Sequence, residues 1–72
     1  MKSKNELAFV VFMVHVLAFA WQRQPSDVYL LLKESGALSQ YMMPCYDTLH
    51  TMGEKYLVKD ITGYVRERGY NV

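Results

Sequence analysis

The chain has 72 residues, 51% hydrophobic and 14% aromatic, and its eight Lys and Arg against seven Asp and Glu leave a formal charge of +1. This balance excludes disorder driven by charge and argues against a surface built for polyanions. The single cysteine, Cys45, excludes an internal disulfide, and together with two histidines it falls short of a four-ligand Cys and His zinc site. A domain of this length buries only about 60% of the surface that its unfolded chain exposes, so part of the apolar content is expected to stay outside.

The first segment carries most of that surplus. From Leu7 to Trp21 every residue is apolar except His15. With Lys2 and Lys4 ahead of it and Ala18, Phe19 and Ala20 near its end, the run imitates a secretory signal peptide. Glu6 at its edge speaks against that reading. So does the remnant of about 52 residues that cleavage would leave, too small to fold readily without disulfides or metal. The apolar run is also shorter than the roughly 20 residues needed to cross a bilayer, and no membrane association is expected. The segment therefore reads as a mature first helix from about Lys4 to Gln22. Leu7, Val11, Val14, Ala18 and Trp21 form one stripe on it, and Phe9, Phe12, Val16 and Phe19 form another. Lys4, His15 and Gln22 make only a thin polar line.

Gln22 to Pro25 interrupts the pattern. Ser26 is placed as an N-cap with Asp27 in the first turn of a second helix, Asp27 to about Ser35, which buries Val28, Leu31 and Leu32. The two helices should form an antiparallel pair. Gly36 suits the left-handed position that ends a helix, and Leu38 can fold back over the last turn. A third helical stretch opens at Ser39 and runs towards His50, where Pro44 imposes either a kink or a fresh start. Tyr46 and Leu49 are expected in the core, with Cys45 beside them, and Met42 and Met43 serve as core filler that would also suit a partner groove. Thr51 and Glu54 read as a capping box for a fourth helix with Tyr56, Leu57, Ile61, Tyr64 and Val65 at helical spacing. Gly63 weakens this helix, and an extended Tyr56 to Val58 followed by a helix capped by Asp60 is the alternative. Residues 1–72 thus form a single all-α domain, a compact bundle of three to four short helices.

Catalytic chemistry is sparse. Cys45, Asp47 and His50 are the one cluster with a nucleophile and a base, but on a helix Cys45 and His50 lie about 140° apart, whereas Asp47 and His50 can meet at i and i+3. The plainer account is a small packed cysteine and a histidine at a helix C-terminus, so no enzyme and no cofactor are expected. His15 on an apolar helix likewise reads as a packed or interfacial side chain rather than a ligand. A helix-turn-helix reading would make Ser39 to Tyr46 the recognition helix, yet it carries Gln40 and no basic residue. Lys55, Lys59, Arg66 and Arg68 are offset by Glu54, Asp60 and Glu67, so no nucleic-acid partner is expected; a small DNA-binding regulator stands as the alternative function.

The run Pro44, Cys45, Tyr46, Asp47, Leu49, His50, Thr51 and Gly53, followed by Tyr56, Leu57, Val58, Asp60 and Ile61, resembles the signature of a small bacterial family known only as a domain of unknown function. Phe9 to Phe12, Val28 to Leu31 and Lys33 to Gly36 match it as well, so the resemblance covers roughly residues 6 to 69. It implies an intracellular, cytoplasmic helical protein whose first helix belongs to the domain. Members are often encoded beside toxin-like proteins that resemble ADP-ribosyltransferases, which implies an antitoxin or immunity-type role. This sequence departs from the family pattern at Met13, Val14, Val16 and Leu17, where relatives tend to carry charge. The expected function is a protein interaction module that meets a toxin encoded nearby and self-associates through the first helix. Phe12, His15, Phe19, Trp21, Tyr41 and Tyr46 are its candidate contact residues.

Overall fold

The computed structural model describes residues 4–72; Lys2, one of the lysines ahead of the apolar run, lies outside the described residues. Four α-helices, α1 (Lys4–Trp21), α2 (Pro25–Ser35), α3 (Tyr46–Leu49) and α4 (Glu54–Glu67), are joined by a π-helical turn at Ala37–Met42, and there is no strand among the described residues. The all-α bundle expected from sequence is the observed fold. Helix α1 packs against α2 and α4, while the π-helical turn closes on α2 and α4. At about 1.5 Å per residue, the 18 residues of α1 span about 27 Å, close to the 29 Å long axis of the molecule.

The inward face of α1 is Val10, Met13, Val14, Leu17 and Ala18. Neither stripe read from sequence is the buried face as it stands: Val14 and Ala18 of the first are buried but Leu7 and Val11 are exposed, and Met13 and Leu17, which belong to neither stripe, are fully buried. The buried face is rotated by roughly 50° around the helix from the first of those stripes. Met13, Val14 and Leu17 thus serve the core.

Two helices end in the same way. Gln22 takes a positive φ of 59°, its N–H bonds the Phe19 carbonyl at 3.4 Å, and the Arg23 N–H bonds the Ala18 carbonyl at 2.9 Å. Helix α4 repeats the pattern with Gly69 at φ 91°, Gly69 N–H to Arg66 O at 3.0 Å and Tyr70 N–H to Val65 O at 3.2 Å. Both are Schellman closures, which satisfy carbonyls that a helix end otherwise leaves open.

Helix α2 begins two residues earlier than expected. Its N-cap is Gln24, with no side-chain capping bond, and Pro25 stands at the first position, so Ser26 is not the cap. Proline sets this start because its fixed φ suits the first turn and its missing N–H has no helical partner there. Gly36 ends α2 at φ 86°, as expected. The neighbouring Ser35 hydroxyl, buried, donates to Leu32 O and accepts from the Ala37 N–H, both at 3.3 Å.

The expected third helix is divided. The wider π-helical turn, with Met43 N–H on Leu38 O at 3.0 Å, lets Ala37 and Met42 both point fully inward although five residues separate them. Pro44 then sits in a turn, and α3 is a single turn that buries Leu49. Helix α4 is continuous through Gly63, which removes the extended alternative for Tyr56 to Val58. Its N-cap is Gly53 without a side-chain bond. The Thr51 hydroxyl instead donates to Thr48 O at 2.8 Å, so the expected capping box does not form. Leu57, Ile61 and Val65, one helical turn apart, complete the core.

Candidate functional site

Among the described residues, α1 carries four of the exposed large hydrophobic side chains: Leu7, Val11, Phe12 and Phe19. Ala8, Val11, Phe12, His15 and Phe19 are all exposed and recur at spacings of three and four, so they share one side of the helix. Phe19 is 83% exposed, Val11 55% and Phe12 50%, with Leu7 beside them at 51%. Single exposed apolar residues are ordinary; a contiguous row of them along a whole helix is not. His15 Nδ1 lies 2.8 Å from the Val11 carbonyl. As a donor to that carbonyl it leaves Nε2 facing outwards in the middle of the row. By length and composition alone α1 would also be able to cross a membrane.

The six expected contact residues divide into two groups. Phe12, His15 and Phe19 share the outer face of α1. Trp21, Tyr41 and Tyr46 are half-buried and engaged within the domain. Trp21 Nε1 donates to Thr62 Oγ1 at 2.9 Å, and that hydroxyl donates in turn to Val58 O, which ties the end of α1 to α4. Tyr41 stacks on Tyr64 with ring centroids 5.2 Å apart, and the Arg68 guanidinium lies 4.4 Å from the Tyr64 ring centroid. Tyr46 meets Phe9 edge to face at 5.5 Å and stacks on His50 at 4.5 Å. Leu7, Ala8 and Val11 are exposed beside Phe12, His15 and Phe19 and are not among the contact residues expected from sequence.

Cys45 and His50 share no hydrogen bond among the described residues. Cys45 is half-buried at the start of α3, and His50, at its end, places Nδ1 2.8 Å from the Tyr46 carbonyl instead of turning to Asp47. The same carbonyl also accepts the His50 backbone N–H at 2.9 Å, so the ring and the backbone of His50 share one acceptor at the helix end. No group of three His, Cys, Asp or Glu among the described residues is placed to hold a metal ion. The stretch Ser39 to Tyr46, the recognition helix of the DNA-binding reading, is a π-helical turn up to Met42 and then a turn through Pro44.

Depressions on the described surface include two that border these contact residues. One, of about 440 Å³, lies along α4 between Tyr41, Tyr56 and Tyr64, with Lys59, Asp60 and Glu67 at its edge. The other lies at the end of the outer face of α1, where Ala18, Phe19 and Gln22 meet Arg23 and Asp27. The Arg23 guanidinium is held by its own chain through the Asn71 carbonyl. Arg66 holds the Val72 carbonyl at 2.6 Å, so the chain end is fastened across this corner of the molecule.

Among curated proteins and among solved structures, nothing matches the chain. The family model described as "Protein of unknown function (DUF3791)" matches residues 8–68, from the first turns of α1 to the end of α4, and the chain belongs to that family.

Proposed function

We propose that this protein is a small helical interaction module, without enzymatic activity or cofactor, that binds a protein partner through the outer face of α1. The observation that carries the reading is the contiguous row Ala8, Val11, Phe12, His15 and Phe19 on a helix whose opposite face already fills the core. The fold does not need these side chains inside, and water disfavours them outside at roughly 25 cal/mol per Å². Covering them is therefore a source of binding free energy, with Phe12 and Phe19 as aromatic anchors. The absence of a bond between Cys45 and His50 supports a binding role over a thiol-based reaction.

The finer reading is an immunity-type role in the cytoplasm, in which the partner is a toxin encoded nearby. It rests on the sequence resemblance and on α1 being part of the domain core. The test is capture of the purified product of the adjacent gene by the full chain, with a Phe12→Asp, Phe19→Asp double variant beside it. Wild type should capture the product and the double variant should not, while circular dichroism of the two is the same. Equal capture by both would remove the α1 face from the role.

A further inference from the structure

We propose that the outer face of α1 is covered in solution by a second copy of this chain, the two α1 helices crossing antiparallel. The proposal rests on the reading of that face as a protein-binding surface and names its occupant.

Area is the first argument. An aromatic side chain buries about 150–250 Å², so Phe12 and Phe19, at 50% and 83% exposure, offer about 250 Å² together. Leu7 and Val11, half-exposed, raise this to about 350 Å² per chain at the usual area per aliphatic side chain. Two such faces supply about 700 Å² of apolar surface, which at the typical apolar share corresponds to an interface of about 1,200 Å². That is the lower end of what stable complexes bury, and α1 runs almost the whole length of the molecule to present it.

Charge fixes the direction. Lys4 stands at the start of α1, at the positive end of its own helix dipole, and the last turn of α1 has no basic residue to offset the negative end. Asp27 borders the depression at that same end, beside Phe19 and Gln22. Antiparallel crossing brings Lys4 of each chain to the C-terminal end of α1 of the other, where Arg23 and Asp27 both border the depression. Parallel crossing would set Lys4 against Lys4. Arg23, the cation nearest that end, is directed to the Asn71 carbonyl of its own chain.

Shape agrees with this direction. In the antiparallel register that pairs the ends, Phe19, 83% exposed, comes opposite Ala8 of the second copy, the smallest side chain of the row. Phe12 comes opposite His15. A two-fold axis then relates identical contacts at both ends, as a closed dimer requires.

The test is sedimentation equilibrium of the full chain from micromolar to submillimolar concentration at moderate salt. A monomer–dimer equilibrium is expected, weakened at least about 30-fold by Phe19→Asp. Lys4→Glu and Asp27→Lys should each weaken it about threefold, and the double reversal should restore it. A monomer at every concentration, or a dimer indifferent to Phe19→Asp, overturns the proposal. Tightening by Lys4→Glu overturns the antiparallel arrangement. Sedimentation with mixed phosphatidylethanolamine and phosphatidylglycerol vesicles, lost in Phe19→Asp while the free chain stays monomeric, makes a lipid surface the occupant and overturns it as well. A monomeric chain that still captures the adjacent product through Phe12 and Phe19 sinks the second copy and leaves the interaction module standing. A dimer that captures nothing does the reverse.

Discussion

Helix α1 sends Val10, Met13, Val14 and Leu17 into the core and helix α4 sends Leu57, Ile61 and Val65, yet their outer faces share almost no chemistry. The exposed residues of α4 include Glu54, Lys55, Lys59, Arg66 and Glu67. Between Glu6 and Arg23, α1 has no charged residue at all. Since both helices are anchored by fully buried side chains, the difference does not belong to folding. A charged exterior is complete in water, whereas an apolar one is complete only against something else.

The largest test of this contrast separates inside from outside on the two helices. Leu17→Ala and Ile61→Ala each leave a cavity at a fully buried position and should each lower unfolding free energy by about 3 kcal/mol. For a domain of this size that is a large part of the total stability. Urea midpoints, read at a concentration where the chain is monomeric, would report it. Outside, Phe19→Ala and Lys59→Ala should each shift unfolding by less than about 0.5 kcal/mol. Only Phe19→Ala should also weaken association. A core-sized loss on unfolding from Phe19→Ala would mean that the α1 exterior is part of the fold after all.

The same contrast explains what could be read from sequence. Leu57, Ile61 and Val65 stood out because charged residues surround them, so one orientation of α4 is permitted. The sequence shows two apolar stripes on α1, with Leu7 and Val11 on one and Phe12 and Phe19 on the other, and neither contains Met13 or Leu17, which are fully buried. A helix that is apolar all round carries no phase, and the positions of α2 and α4 choose its buried side. The π-helical turn was hidden for a related reason. Ala37 and Met42 are five residues apart, a spacing that matches no α-helical stripe, and only the wider turn aligns them. Gly36 was legible because a left-handed helix end is a local requirement. The engagement of Trp21 with Thr62 was not, because 41 residues separate them in the chain.

The ends of α1 and α4 offer a smaller and sharper comparison. Both close with a residue at positive φ, but α4 uses Gly69 and α1 uses Gln22. A side chain in the left-handed region costs about 1–2 kcal/mol. Gln22→Gly should therefore stabilise the chain, by about 0.5–1 kcal/mol once the extra freedom of glycine in the unfolded state is subtracted. Gly69→Ala should destabilise it by about 1 kcal/mol. Thermal melts of the two variants should move in opposite directions. If Gln22→Gly lowers the melting temperature, the bond from its side chain to the Phe19 carbonyl at 3.3 Å outweighs the backbone strain.

The smallest effect concerns the outer faces again, now through the backbone alone. Gly63 lies exposed inside α4, and a Cβ built there meets nothing within 4 Å. Its φ is not positive, so the helix does not need glycine at that position. Alanine forms helix more readily than glycine by about 0.5–1 kcal/mol, mainly because the unfolded chain loses freedom. Gly63→Ala should accordingly raise the melting temperature by roughly 4 °C for a domain of this size. On α1, Ala8→Gly makes the opposite change on an exposed face and should lower unfolding stability by a similar amount. Their effects on association should differ: Ala8 lies in the apolar row, whereas Gly63 lines the tyrosine depression on α4. Dimerisation weakened by Gly63→Ala would place the contact surface on α4, and the contrast between the two exteriors would no longer identify the binding face.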